Sequence, residues 1–382
     1  MGFSQVNIYL WRSLVKETSI RRNSVIELLR LIAMFAIVLH HYSIHGGMAL
    51  AHGISCSTLT IAAGQSLGEW GVDVFVLITG YYLSDNLSVS KLIKRTVKFY
   101  VQVWTTSILC LLAVVVLFRS AVGIKDVITG CLPIGYHIWW FASTYFVLLL
   151  MSPFINVLVW NSSKKRHAEM IVLTVIFWSI LCTIFPKIRY EHSDLLDLVM
   201  LYVIASYIRR YVAAGCRVKW IRTACVCLLF IMMSCSMLTQ MLSSKFPFFL
   251  GRQMYFVDKN SPLTIAAAIA TLLVALSMSP RHSAVINRIS SGSFGIYLFT
   301  DHPLISPILW INIVHTQIQF YSKALPALMI GSVLSVFFAA LAVEMLRQVV
   351  IQKPVMLLIE STIYKAQFIN SIRLSLDRYL AD

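Results

Sequence analysis

The feature that most constrains this chain is a series of long apolar runs. Each run is close to the 20 or so residues that a helix needs to cross a bilayer. Only 13% of the 382 residues are charged, about half the share that is typical of a soluble domain. The sequence therefore predicts an all-α integral membrane protein with about ten transmembrane helices. We expect the spans near 25–44, 60–83, 99–118, 139–160, 169–186, 195–212, 221–242, 262–279, 292–311 and 325–346.

The basic residues are distributed unevenly between the loops that join these spans. With ten spans both ends of the chain lie on one side, and most of the 32 lysine and arginine residues fall on that side. Such residues are enriched in cytoplasmic loops, so we expect both termini to be cytoplasmic. The net charge of +16 then reflects membrane topology, and nucleic acid is not an expected partner.

The chain divides by composition into three segments. We predict that residues 1–22 form a cytoplasmic interfacial segment, that 23–349 form one multi-span membrane domain, and that 350–382 form a cytoplasmic amphipathic tail. Both end segments mix apolar and basic residues, as helices that lie on a membrane surface do. No hydrophilic stretch is long enough for a separate soluble domain of about 100 residues.

The first span contains charged and titratable residues that topology does not explain. Arg30 and His41 are eleven residues apart, which is about 16 Å of helical rise, and they share one helical face. Glu27 lies three residues before Arg30 and could pair with it. The spacing favours a fixed cation for an anionic, phosphate-bearing substrate and an imidazole that acts as a general base. The alternative is a snorkelling arginine and a hydrogen-bonded interfacial histidine.

A pair of carboxylates begins the second apolar run. Glu69 and Asp73 are four residues apart on one helical face, among Gly68, Gly71 and Gly80. A carboxylate at this depth predicts a functional role, and here it could orient the imidazole and stabilise its cationic form. Alternatively, Glu69 is a boundary residue and Asp73 caps a helix.

Three further groups supply candidate binding residues. Arg95 and Lys98 form a basic edge before the third span, which could cradle donor phosphates or merely anchor topology. An aromatic group in the fourth span, Trp139, Trp140 and Tyr145, could stack on a carbohydrate acceptor or form part of an interfacial belt. Two polar residues inside a late span, Asp301 and His302, are functional candidates by their depth. These five residues are the acceptor-binding candidates.

Taken together, these segments resemble the acyltransferase-3 family of bacterial membrane acyltransferases. The resemblance covers most of the chain: the Arg30–His41 spacing, GVDVFVLITGYYL at 71–83, the Arg95–Lys98 edge, WWFASTY at 139–145 and SFGIYLFTDHP at 293–303. Arg30 and His41 match the paired functional residues of the family. A histidine often follows the YL pair near the end of these proteins, where this chain has Thr300.

The resemblance implies an O-acyltransferase that moves an acyl group, usually acetyl, from cytoplasmic acyl-CoA to a hydroxyl of a cell-envelope polysaccharide or its lipid-linked precursor. The expected partners are acetyl-CoA, that glycan and the lipid bilayer, at the bacterial cytoplasmic (inner) membrane. No strong metal-binding spacing is present, so we expect no metal. Two other functions stay open for a chain of this kind, a transporter and a polymerase for lipid-linked glycans.

Overall fold

The regular structure of this chain is helical throughout the part that the structure describes. The computed structural model describes residues 22–48, 54–84, 89–118, 122–185, 193–212, 218–249, 252 and 254–363. These residues contain no strand, and seven of their helices are long and apolar enough to cross a membrane. The prediction of an all-α membrane protein is thereby confirmed. The predicted segment 1–22 lies outside the described residues except for its last residue, as does most of the predicted tail.

Fourteen helices of the described residues are numbered here in chain order. π-Helical turns extend three of them: α6 over Ile176–Ile180, after which it continues as α-helix over Leu181–Ile184, α7 over Ile208–Val212 and α13 over Gln348–Gln352. A separate π-helical turn covers Ile308–Ile313, and a 3₁₀ turn covers Pro247–Phe249. The helices are α1 Ser24–His45, α2 Cys56–Leu83, α3 Val89–Val116, α4 Ile124–Cys131, α5 Trp140–Trp160, α6 Lys164–Val175, α7 Asp194–Tyr207, α8 Val218–Ser243, α9 Pro262–Leu276, α10 Ala284–Ser290, α11 Ser293–Thr300, α12 Thr316–Phe320, α13 Leu325–Arg347 and α14 Lys353–Ile363.

The seven candidate spans correspond to seven of the ten predicted ones. The runs predicted near 195–212, 262–279 and 292–311 fold instead as α7, α9 and α11, whose α-helical parts have 14, 15 and 8 residues. The helix α11 ends at Thr300 because Pro303 and Pro307 follow closely, and proline interrupts helical hydrogen bonding. The count of about ten spans and the placement of the termini stay predictions. The last span continues as one helical stretch over Leu325–Ser361, across the predicted boundary at residue 350.

Two glycines bring α1 and α2 into close antiparallel contact. A Cβ atom at Gly71 would lie 2.6 Å from the Ala33 carbonyl oxygen, and one at Gly68 would lie 2.1 Å from the His40 Cβ. Only a residue without a side chain fits at this separation. The second helix also packs against α7, α8 and α9, so α1 and α2 stand at the centre of the molecule.

A buried ion pair lies at the end of α13. The Arg347 guanidinium donates to both carboxylate oxygens of Glu344, at 2.7 and 2.8 Å, and both side chains are almost fully buried. Arg347 also donates to Thr105 Oγ1 at 2.7 Å and to Gln352 Oε1 at 2.6 Å. Gln102 Nε2 donates to Glu344 Oε1 at 2.9 Å. We call these five residues the Glu344–Arg347 cluster, and it ties α13 to α3.

The same cluster reaches α11. A Cβ atom at Gly295 would lie 2.3 Å from the Glu344 carboxylate carbon, so the first turn of α11 rests directly on the ion pair. Gln348 Nε2 adds a hydrogen bond of 3.0 Å to the Ser291 carbonyl oxygen just before α11. The start of α11 is therefore fixed by buried polar contacts.

Candidate active site

An elongated cavity lies between α1, α2, α5 and α11. Its volume is about 630 Å³, counting its open mouth. On α1 it is lined from Met34 to Ile44, ten residues that span about 15 Å of helix. His41 lies on this wall, and Arg30 lies one helical turn before Met34. The cavity thus follows the helical face that the sequence analysis identified.

His41 is buried, and one of its two ring nitrogens is bonded to Thr300. The distance from His41 Nδ1 to Thr300 Oγ1 is 2.8 Å. The Thr300 hydroxyl donates its own proton to the Ile296 carbonyl oxygen at 2.9 Å, so its oxygen accepts from His41 Nδ1–H. In the neutral ring the unprotonated nitrogen is then Nε2. This nitrogen is the one that can take a proton.

Asp301 lies between two histidines of α1. Its Oδ1 accepts a hydrogen bond from His45 Nε2 at 2.7 Å and lies 3.8 Å from His41 Nε2. We call these three residues the His41–His45–Asp301 cluster. A carboxylate at this distance stabilises the positive charge that His41 acquires on protonation. His41 therefore has a hydrogen-bond acceptor at Nδ1 and a carboxylate near Nε2.

Two buried tryptophans fix the end of α11, which positions Thr300 and Asp301. Trp139 Nε1 donates to the Leu298 carbonyl oxygen and Trp310 Nε1 donates to the Thr300 carbonyl oxygen, each at 3.1 Å. Both indoles are fully buried. These bonds satisfy carbonyl groups that the end of a helix leaves without a partner.

The two carboxylates predicted in α2 differ in position. Glu69 lines the cavity, and its Oε1 lies 3.8 Å from His40 Nε2. His40 Nδ1 is bonded to the Gln65 carbonyl oxygen at 2.9 Å. Asp73 is fully buried outside the cavity lining, and neither of its carboxylate oxygens has a hydrogen-bond partner among the described residues. The carboxylate placed beside His41 is Asp301.

Arg30 lies one helical turn beyond the Met34 end of the cavity lining. Its Nη1 is 3.0 Å from Glu27 Oε2, so the predicted pairing of these two residues is confirmed. Glu27 Oε2 also accepts from Ser290 Oγ at 2.5 Å. The guanidinium lies 5.8 Å from the centroid of the Phe75 ring, which lines the cavity. Arg30 Nε has no hydrogen-bond partner among the described residues.

The predicted basic edge is separated from Arg30 by aromatic rings. Arg95 and Lys98 are exposed near the start of α3. Since α1 and α2 are antiparallel and α3 follows α2, this part of α3 lies at the same end of the molecule as Arg30. Between them, the Phe294 ring contacts both Phe75 and Phe99, at centroid distances of 6.4 and 5.1 Å.

The candidate acceptor residues divide between the cavity and the interior. Trp140 lines the cavity, and Lys259 Nζ lies 4.0 Å from the Trp140 ring centroid and 2.8 Å from Asp194 Oδ1. Tyr145 is half-buried and does not line the cavity, but its ring stacks on Phe141, which does. The other two candidates, Trp139 and His302, are buried and do not line the cavity. Their rings are in edge contact, with centroids 5.1 Å apart.

One cluster of the described residues has the composition of a metal site. His41, His45 and Asp301 each offer one ligand atom, and these three atoms lie within 4.8 Å of one another. The sequence pattern had predicted no metal, because the third residue comes from a distant part of the chain.

Comparison with known families identifies the family of this chain. A family model described as an acyltransferase domain, acyltransferase type 3, matches residues 23–344. The chain belongs to the acyltransferase-3 family. No curated protein and no solved structure matches the chain. This acyltransferase-3 protein is therefore a membrane acyltransferase with several membrane-spanning helices.

Sequence reasoning did not include Thr300 and His45 among the candidate site residues, although they contact His41 and Asp301. Thr300 stands in a motif that was identified, yet it was noted only as the position where other members often have histidine. His45 lies one helical turn after His41, so helical periodicity could have placed it on the same face. No sequence signal connected Thr300 to His41 or His45 to Asp301, because the side chains of α1 and α11 meet only in the folded chain.

Proposed function

We propose that this acyltransferase transfers an acetyl group from cytoplasmic acetyl-CoA to a hydroxyl of a cell-envelope polysaccharide or its lipid-linked precursor, at the bacterial inner membrane. The observation that carries the proposal is the elongated cavity, which leads from the level of Phe75 beside Arg30 to His41. The eleven residues from Arg30 to His41 rise about 16 Å, which suits an extended pantetheine arm with its phosphates near Arg30 and its thioester near His41.

The donor enters from the Arg30 end of the molecule, which we place in the cytoplasm. Arg30 is charged at every physiological pH and presents several donors in a fixed plane. Glu27 occupies one side of this guanidinium, so the remaining donors can bind a phosphate or a pantetheine carbonyl group. The exposed Arg95 and Lys98 add positive charge at the same end, where they attract the nucleotide part of the donor.

His41 is the general base in this mechanism. Its Nε2 takes the proton from the acceptor hydroxyl while the hydroxyl oxygen attacks the thioester carbonyl carbon. The carbon–sulfur bond then breaks, and the imidazolium returns the proton to the leaving thiolate of CoA. Thr300 fixes the tautomer that leaves Nε2 free, and Asp301 stabilises the imidazolium from 3.8 Å. The two products are the acetyl ester and CoA.

The acceptor binds at the opposite end of the cavity. The Trp140 ring there offers an apolar face on which a sugar can stack, and Glu69 offers a hydrogen-bond acceptor for its hydroxyl groups. Lys259 covers the Trp140 ring at 4.0 Å and is held by Asp194. A sugar stacked on Trp140 would lie in the same cavity that His41 lines, and one of its hydroxyl groups is the proposed nucleophile.

Transfer of radiolabel tests the proposed function. Membranes that contain the protein are expected to move label from [acetyl-¹⁴C]acetyl-CoA into envelope glycan, and membranes without it are not. Label transfer that occurs only with the protein present would support the acetyltransferase. If no label reaches glycan when the native acceptor is supplied, the proposal is wrong, and a transport assay with lipid-linked glycan becomes the next experiment.

We expect Thr300→Val to slow acetyl transfer by about 10-fold or more. Valine keeps the shape of threonine but leaves the buried His41 Nδ1–H without its acceptor, at a cost of about 1–3 kcal/mol, and no longer selects the reactive tautomer. Thr300→Ser is the matched control, because it keeps the hydroxyl group, and we expect it to retain most of the activity. Initial rates at equal protein abundance measure both variants, and equal rates for the two would contradict this role of Thr300.

A further inference from the structure

We propose that His41, His45 and Asp301 form an inhibitory binding site for a transition-metal ion, with Zn²⁺ as the expected ligand. The inhibition rests on the proposed function, since it depends on His41 as the catalytic base. The binding site itself does not.

The three ligands converge from two helices. His41 and His45 are four residues apart on α1, which puts both rings on one face, and their centroids are 5.5 Å apart. Asp301, directly after α11, places Oδ1 at 2.7 Å from His45 Nε2 and 3.8 Å from His41 Nε2. Ligand atoms around a tetrahedral zinc ion are about 3.3 Å apart, given bonds of about 2.0–2.1 Å. The two observed distances lie on either side of this value, and all three ligand atoms lie within 4.8 Å of one another, so side-chain rotations that close this gap would complete the site.

The surroundings of His41 match those of a zinc ligand. A metal-bound histidine normally donates its other ring N–H to a protein acceptor, which fixes the ring and its tautomer. Thr300 Oγ1 does this for His41 at 2.8 Å. His45 exchanges its hydrogen bond to Asp301 for a metal bond, and its proton moves to Nδ1. Imidazole and carboxylate are both ordinary zinc ligands.

The metal and the substrate compete for one lone pair. A zinc ion bound to His41 Nε2 uses the electron pair that must accept the proton of the acceptor hydroxyl. Asp301 and His41 both line the cavity, so the ion also occupies the space beside the reacting hydroxyl. The His45 side chain is 28% exposed, which gives the ion access to the cluster. Zinc should therefore inhibit acetyl transfer reversibly, by competition with the acceptor.

A zinc titration of the purified full-length protein tests the binding site. A colorimetric chelator competes for the metal, and the exposed Cys56, Cys131 and Cys227 are first blocked with N-ethylmaleimide. We expect His45→Ala to bind zinc at this site at least about 100-fold more weakly than wild type, since loss of a supporting contact alone costs 10- to 100-fold. His137→Asn is the matched control, because His137 is exposed and lies outside the cluster, and it should bind zinc like wild type.

The activity assay completes the experiment. Zinc should inhibit wild-type transfer, excess EDTA should reverse the inhibition, and higher acceptor concentrations should weaken it. Whatever rate His45→Ala retains should require at least about 100-fold more zinc for the same fractional inhibition.

Two results would overturn the inference. Equal zinc binding by wild type and His45→Ala would exclude the site, and loss of wild-type transfer on metal removal, with recovery on zinc addition, would make the ion catalytic instead of inhibitory. Absence of any acetyl transfer together with the expected difference in zinc binding would refute the proposed function and leave the site standing.

Discussion

His41→Ala is expected to slow acetyl transfer by about 10²- to 10⁴-fold, the usual contribution of a positioned general base. The substitution removes the only ring that Thr300 and Asp301 jointly orient among the described residues. Because the substitution leaves Arg30 and the end of the cavity lined by Met34 and Phe75 unchanged, the KM for acetyl-CoA should change little. Initial rates of label transfer into envelope glycan, at equal abundance in the membrane, measure this effect.

The neighbouring histidine provides the matched control. His40 also lines the cavity, but its Nδ1 is bonded to the Gln65 carbonyl oxygen and its Nε2 faces Glu69. We expect His40→Ala to reduce the rate by less than about 10-fold, well below the range for a general base. If His40→Ala abolished transfer and His41→Ala did not, the assignment of the base would be wrong, even for an active acetyltransferase.

Arg347→Met is expected to lower the free energy of unfolding by about 3–5 kcal/mol, because it leaves a buried carboxylate without its countercharge. Glu344 is almost fully buried, and water cannot replace the two hydrogen bonds that Arg347 donates to it. Because methionine has a volume similar to that of arginine, the decrease in the free energy of unfolding reflects the lost charge more than lost packing. Equilibrium unfolding in detergent micelles, compared with wild type, measures the change.

A double substitution separates charge from the other contacts of the Glu344–Arg347 cluster. Glu344→Gln combined with Arg347→Met has no buried charge, and its glutamine keeps an amide oxygen for the bond from Gln102. We expect the double variant to be more stable than Arg347→Met alone. If both variants lost the same free energy, the uncompensated carboxylate would not be the cause of the instability.

Much of this fold could be predicted because apolar length alone requires membrane-spanning helices. Seven of the predicted spans are helices of sufficient length, including the second one despite Glu69 and Asp73. Prediction was less successful where prolines interrupt a helix within an apolar run. Around 292–311, Pro303 and Pro307 end the regular helix early, and the hydrophobic pattern does not register this interruption.

In the candidate site, too, features within one helix could be predicted from the sequence, whereas contacts between distant parts of the chain could not. The helical face that joins Arg30 to His41 was readable from spacing, and the cavity lies along that face. The partners of His41 were not readable, because Thr300 is 259 residues away in the sequence. The expected carboxylates, Glu69 and Asp73, belong to the next helix along the chain, whereas folding places Asp301 beside His41.

The glycine-mediated contact between α1 and α2 limits how far the walls of the cavity can move. With the Gly71 position pressed against the Ala33 carbonyl oxygen, the two helices cannot approach further, and the buried surface they share resists their separation. They therefore behave as one rigid wall of the cavity. On the facing wall, α11 is eight residues long and is anchored at its ends by Glu344 and Trp310. Both walls of the cavity are thus held in place, which keeps Thr300 and Asp301 at defined distances from His41.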